Sequence, residues 1–277
     1  MTAETGAGAV LNGPLWLIGC GNMAGAMLEG WLAAGLDPSE FTAIDPLAKS
    51  VPGSVRLLRA PPADEVPAIA LLGVKPQMLD MVAPLFAPML DQHTILISML
   101  AGTELVSLRT RFPAVDTIVR IMPNLPARLR KAAIGLYSDS QDKAALERVG
   151  TLMSLLGTVE WIAQERLFDV VTALSGSGPA FVYRFIGALA DAAAARGLPA
   201  DQALRLALAT VEGAAALAAA SEETPSDLAE RVASPGGTTR KGLDVLDADG
   251  RLARLIRETL EAAEQRGREL AEEARRG

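Results

Sequence analysis

The chain contains one cysteine and one histidine among 277 residues. A single thiol, Cys20, excludes a disulfide framework within the chain and predicts a reducing, cytoplasmic compartment. Basic residues are the minority sign: 26 Lys and Arg stand against 33 Asp and Glu, a net charge of -7. That balance argues against nucleic acid or an anionic membrane as the main partner, since both need a basic face. No stretch reads as 18 uncharged apolar residues with membrane-type flanks, so no transmembrane segment is expected. The N-terminal MTAETGAGAVLNG carries Glu4 and lacks a basic region followed by an apolar run. Residues 1–13 therefore read as a flexible leader rather than a signal peptide.

What is present is a large apolar fraction, 50% of the residues, in a chain long enough for two domains. Up to residue 164, short apolar runs alternate with helical patterns. Leu15–Gly19, Phe41–Asp45, Ala68–Val74, Thr94–Ser98, Thr117–Ile121 and Ala133–Tyr137 read as strands. Met23–Ala34, Gln77–Met89, Thr103–Arg111 and Asp142–Leu156 read as helices. Such alternation predicts βαβ units and a mainly parallel sheet, an α/β Rossmann-like domain over 1–164. Asp45–Pro67 is proline-rich and irregular, with one weak strand at Val55–Leu58. From 165 to 277 strand signals stop and Ala/Leu-rich segments take over: Arg166–Leu174, Ala180–Arg196, Ala200–Ala220, Pro225–Val232 and Leu252–Glu273. Alanine and leucine are strong helix formers, so this half is read as an all-α domain. Its alanine-rich faces suit packing against a second copy of the chain.

The first strand runs into Gly19-Cys20-Gly21-Asn22-Met23-Ala24, which fits G-x-G-x-x-G/A. Gly19 allows the tight turn, Gly21 lets backbone approach a pyrophosphate, and Ala24 lets helix and strand pack closely. The phosphates then sit at the positive N-terminus of the helix, against Asn22 and Met23. Asp45 ends the next strand, where a carboxylate can accept from the adenosine ribose hydroxyls. Ligands of parallel sheets bind outside the carboxyl ends of the strands. That adds Val74, Lys75 and Pro76, the run Ser98–Gly102 with Ala101, and Met122-Pro123-Asn124. The implied cofactor is NADPH or NADH.

The expected acid–base groups for carbonyl reduction are missing. His93 lies before a strand, away from the strand ends, and no lysine occurs between Lys143 and Lys241. An imine substrate removes the difficulty, because a protonated C=N is already electrophilic and needs positioning more than a strong acid. Ser234-Pro235-Gly236-Gly237-Thr238-Thr239 offers a nest of backbone N–H groups and hydroxyls at a helix start, able to hold a carboxylate. An ordinary helix cap reads the same way in isolation. No metal is required.

Taken together, IGCGNMAGAMLEGW, Val74-Lys-Pro-Gln77, Ser98-Met-Leu-Ala-Gly102, Arg120-Ile-Met-Pro-Asn124, Thr172-Ala-Leu-Ser-Gly-Ser-Gly-Pro179 and Ser234-Pro-Gly-Gly-Thr-Thr239 resemble the pyrroline-5-carboxylate reductase family. The resemblance implies NAD(P)H-dependent reduction of 1-pyrroline-5-carboxylate to L-proline, the last step of proline biosynthesis. It implies a helical domain interlocked with a partner chain as a homodimer, often assembled further into a decamer. By position, Thr239 resembles the threonine that hydrogen-bonds the ring nitrogen, and Gly237 and Thr238 resemble the carboxylate-binding loop. Glu165 and Glu222 match acidic residues near the substrate and the nicotinamide ribose. Leu125, Thr224, Arg231 and Ala60-Pro61-Pro62 depart from the family pattern. The alternatives are a related imine or β-hydroxyacid reductase, or a non-catalytic dinucleotide-binding protein on the same fold. The β-hydroxyacid enzymes expect a lysine on the long helix of the second domain, which this chain lacks.

Overall fold

The computed structural model describes residues 10–276. It resolves into two units, one running to Ser177 and resuming at Ala263, the other spanning Gly178–Ala262. The compact division therefore falls at Ser177/Gly178, and the end of the last helix returns to the first unit. Of the leader expected over 1–13, residues 1–9 lie outside the described residues. In the remainder Leu11 is fully buried in the main core, while Asn12 is exposed.

The first unit is built on one eight-stranded sheet. Its strands are β1 (Leu15–Ile18), β2 (Phe41–Ile44), β3 (Arg56–Leu58), β4 (Ile69–Leu72), β5 (Ile95–Ser98), β6 (Thr117–Met122), β7 (Ala132–Tyr137) and β8 (Gly157–Trp161). The order is β3-β2-β1-β4-β5-β6-β7-β8. All neighbours are parallel except β6 and β7, so the last two strands run against the first six. β1, β2, β4, β5 and β6 are buried along their whole length. That burial on both faces is why they read as continuous apolar runs rather than alternating ones.

Alternate side chains feed two cores. Leu15 and Leu17 pack with Met27, Leu28 and Trp31 of α1 (Asn22–Ala33) and Val149, Leu152 and Met153 of α4 (Lys143–Ser154). Trp16 and Ile18 pack on the opposite face with α2 (Leu79–Phe86) and α3 (Leu105–Arg111). Trp31 Nε1 donates to the Leu152 carbonyl at 2.9 Å, tying α1 to α4. The helix expected over Gln77–Met89 is shorter, because prolines open a 3-10 turn on each side of α2. β8 was not expected. It is a partly exposed edge strand, so its apolar signal is weak. The segment read as a helix over Arg166–Leu174 is three pieces: a 3-10 turn at Glu165–Leu167, α5 (Phe168–Val171) and a π turn at Thr172–Gly176.

The second unit is helical: α6 (Gly178–Ala194), α7 (Ala200–Ala220), α8 (Pro225–Val232), α9 (Thr238–Asp247) and the first turns of α10 (Arg251–Arg276). Its buried core is small, formed by Ala190, Ala203 and Ala207 with partly buried neighbours on α6 and α7. Tyr183, Phe185, Leu206, Leu217, Val232 and Leu255 are all more than half exposed. By length and composition α7 could cross a membrane, with a mean hydropathy of 1.5 over a window only 11% buried. The sequence alone predicts no such segment, on the ground that its alanine-rich runs are too weakly hydrophobic and lack membrane-type flanks.

Candidate active site

The glycine loop is shaped by close backbone approach. Gly19 adopts φ +84 and its N–H donates to the Ile44 carbonyl at 2.9 Å. A Cβ there would meet Val74 at 2.8 Å, and one on Gly73 would meet the Gly19 carbonyl at 2.5 Å. Side chains at either place would force β1 and β4 apart, so only glycine fits. Gly21 caps α1 without a side-chain hydrogen bond, and the first turn of α1 carries no acidic residue. A Cβ placed on Gly21 would meet no protein atom within 4 Å. Free N–H groups of a helix start facing open space are what an anionic pyrophosphate needs. Ala24 behind them is buried against the sheet.

Asp45 is more committed than the sequence suggests. Its Oδ2 accepts from Cys20 N–H at 2.9 Å, and its Oδ1 accepts from Leu47 and Ala48 N–H at 2.8 and 3.0 Å. Burial raises its pKa, but the three backbone donors and the Arg59 charge outweigh burial and hold it below the ordinary 3.8. Arg59 donates to the carbonyls of Asp45, Pro46 and Ala48 and so braces the loop after β2. Cys20 is pushed up to about 11 by burial and by the Asp45 charge. The thiol stays protonated at neutral pH, which suits a packing role. Lys75 is exposed at the end of β4, beside Val74 and Pro76. His93 is exposed before β5, at the other end of the strands from the loop.

Beyond β5, Ala101 lies in the turn between Ser98 and Leu105. Glu165 Oε1 accepts from Leu105 N–H at 2.7 Å and pairs with Arg120 at 2.7 Å. Arg120 is 3% exposed and its guanidinium stacks 4.4 Å from the Phe168 ring centroid. Asn124, also buried, donates to the Ser175 carbonyl at 2.9 Å and accepts from Ala133 N–H at 3.2 Å. It thereby ties the end of β6 to the start of β7 and to the π turn. The sequence reading placed Asn124 at a strand end without this role, and gave Arg120 none. The signal available was the presence of polar side chains in and after an otherwise apolar strand.

In the second unit, Ser234–Thr239 forms a tight turn into α9. Gly236 has φ +74, and Gly237 N–H donates to the Ser234 carbonyl at 2.9 Å. A Cβ on Gly237 would stand 2.4 Å from Ser234 Oγ. Thr238 and Thr239 are the first residues of α9, whose N-cap has no side-chain hydrogen bond and whose first turn has no acidic group. Donors at this helix start are therefore available to an anion. Glu222 is exposed in the turn between α7 and α8. Two departures from the family pattern have local partners: Thr224 makes a reciprocal capping box with Asp227, and Arg231 pairs with Glu223 at 2.8 Å.

Residues 165–270 match the pyrroline-5-carboxylate reductase dimerisation family, and residues 15–102 match the coenzyme F420-dependent NADP oxidoreductase family. The chain is 38% identical over 263 residues to a pyrroline-5-carboxylate reductase of Pseudomonas aeruginosa, covering 92% of this chain and 96% of that one. This chain belongs to the pyrroline-5-carboxylate reductase family. A second reductase of that name, from Glycine max, is 38% identical over 267 residues, with 93% and 96% covered. Among solved structures, the pyrroline-5-carboxylate reductase of Coxiella burnetii superposes with a TM-score of 0.85 at 31% identity, covering 94% of this chain and 98% of that one. The reductase family thus accounts for both halves of the chain, and its dimerisation match begins at Glu165.

Proposed function

We infer that the protein is an NAD(P)H-dependent pyrroline-5-carboxylate reductase, forming L-proline in the last step of proline biosynthesis. The observation that carries this reading is 38% identity to a reductase of that activity over nearly the whole of both chains. The residues present fit the cofactor: α1 offers uncapped N–H groups before open space at Gly21. Held there, a reduced nicotinamide dinucleotide would supply a hydride for the imine carbon, the C=N π pair going to the already protonated nitrogen. Gly19, Gly21, Asn22, Met23 and Ala24 seat the pyrophosphate. Asp45 shapes the adenosine end, and Val74, Lys75, Pro76 and Ala101 line the remaining strand ends. Ser234, Gly237 and Thr238 receive the substrate carboxylate through backbone N–H and hydroxyl donors. Thr239 is the catalytic residue, bonding the ring nitrogen as it becomes an amine. Glu222 lies at the substrate side.

The assembly proposed is a homodimer, with a decamer as its further form. It is supported by the dimerisation match and by the large exposed side chains of the second unit. The same pairing gives the apolar face of α7 a protein partner. The single thiol and the acidic balance support a cytoplasmic enzyme without a nucleic-acid or membrane partner. An NADH and NADPH oxidation assay with pyrroline-5-carboxylate tests the reading. Substrate-dependent oxidation is expected, and dinucleotide binding without turnover would favour a binding protein on the same fold.

A further inference from the structure

The Arg120–Glu165 pair is costly to build and the reaction above does not use it. Arg120 is a cation on a buried strand, 3% exposed, and a charge in such a place must be compensated. The Phe168 ring face and Glu165 Oε1 at 2.7 Å contact it, and the Asp169 charge also acts on it. The same Oε1 accepts from Leu105 N–H, also at 2.7 Å. Leu105 is the first residue of α3, and Glu104 at its N-cap makes no side-chain capping bond. The helix start is thus capped by a carboxylate 60 positions away in sequence, held in turn by a cation from β6.

The segment fixed by this cap is the turn from Ser98 to Leu105, containing Gly102 at φ +69. One end of the turn is anchored by β5 in the sheet. The other end is anchored by Glu165. In a doubly wound sheet the β1–β3 half takes the adenosine and the β4–β6 half takes the nicotinamide nucleotide. The turn after β5 belongs to the second half. Glu165 therefore stands one step behind the cofactor, with an oxygen already committed to backbone and to Arg120.

We propose that Glu165, held by Arg120, is a positioning residue that fixes the Ser98–Leu105 turn against the nicotinamide half of the dinucleotide site. It acts through the Leu105 N–H and the turn it anchors. The proposal rests on the dinucleotide reading given above and assigns Glu165 a specific part in it.

The test is a fluorescence titration of the full-length protein with NADH, alongside a competition titration with ADP. ADP fills the adenosine and pyrophosphate positions but reaches none of the nicotinamide half. Glu165→Ala should weaken NADH roughly fivefold to tenfold, the scale of one lost cap, and leave ADP unchanged within about twofold. Glu165→Gln keeps a carbonyl oxygen for both Leu105 and Arg120 and should restore NADH affinity. Should the alanine variant not fold, Glu165→Asp decides: one methylene shorter, it cannot hold both partners and should weaken NADH selectively. Equal losses of NADH and ADP would mean a general structural role and overturn the proposal, as would unchanged NADH affinity in the Ala or Asp variant. A wild-type protein that binds neither ligand would instead contradict the dinucleotide reading itself.

Discussion

Thr239 carries the sharpest residue-level consequence. Valine keeps its shape and β-branch but loses the hydroxyl, so Thr239→Val should leave the fold and NADH binding intact. Losing one hydrogen bond to the substrate costs roughly 1–3 kcal/mol, so kcat/KM should fall on the order of 10- to 100-fold. Steady-state rates with a thermal melt check this, and wild-type kinetics in a folded variant would remove Thr239 from the mechanism. Asp45 bears on cofactor choice. An ionised carboxylate at the end of β2 disfavours a 2′-phosphate, and its pKa, held below the ordinary 3.8, keeps it charged at neutral pH. Its stabilising contribution is present at neutral pH and is lost only as the pH falls through that lowered value. NADPH should therefore show less than about a tenfold advantage over NADH in kcat/KM, and Asp45→Ser should move the ratio toward NADPH. A larger wild-type advantage for NADPH would show that Arg59 or Lys49 overrides the carboxylate. The glycine loop and Asp45 were legible in sequence because their spacing follows from backbone geometry. The saturation of Asp45 by three N–H groups was not, since it depends on how the loop after β2 folds back.

Among the elements, the strands of the central sheet were readable because burial on both faces demands unbroken apolar runs. β3 and β8 were faint or missed for the opposite reason: edge strands bury less and mix polar residues into a short span. The π turn at Thr172–Gly176 was also invisible, because its residues carry ordinary helix signals. Its shape depends on Asn124, whose bond to the Ser175 carbonyl spans 51 residues. Asn124→Ala leaves that carbonyl and the Ala133 N–H without their partner. The expected cost is roughly 2 kcal/mol, a fall of about 4–8 °C in Tm, measurable by calorimetry; an unchanged Tm would mean the tie is unimportant. The turn into α9 makes a different demand. Gly237→Ala puts a methyl 2.4 Å from Ser234 Oγ, so the loop must shift. KM for pyrroline-5-carboxylate should rise while NADH affinity stays constant.

For the whole molecule, the contrast between the two units matters most. The first unit has two extensive cores, one on each face of its sheet. The second has only a small alanine core and many large apolar side chains in solvent, more apolar surface than a helical unit of this kind sustains alone. Light scattering at micromolar concentration should therefore find a dimer or larger assembly, and a stable monomer would refute that. The helical character of this half was legible from alanine and leucine content, and its need for a partner from the abundance of apolar faces. The return of α10 to the first unit was not, because it depends on tertiary contacts such as the approach of Gly267 to Asp169 within that unit. Isotope transfer tests the proposed reaction itself. With NADH carrying deuterium at the transferred C4 position and pyrroline-5-carboxylate as acceptor, one deuterium per proline is expected, on the δ carbon, in step with NADH consumed. Absence of proline, or proline without the label, would contradict it.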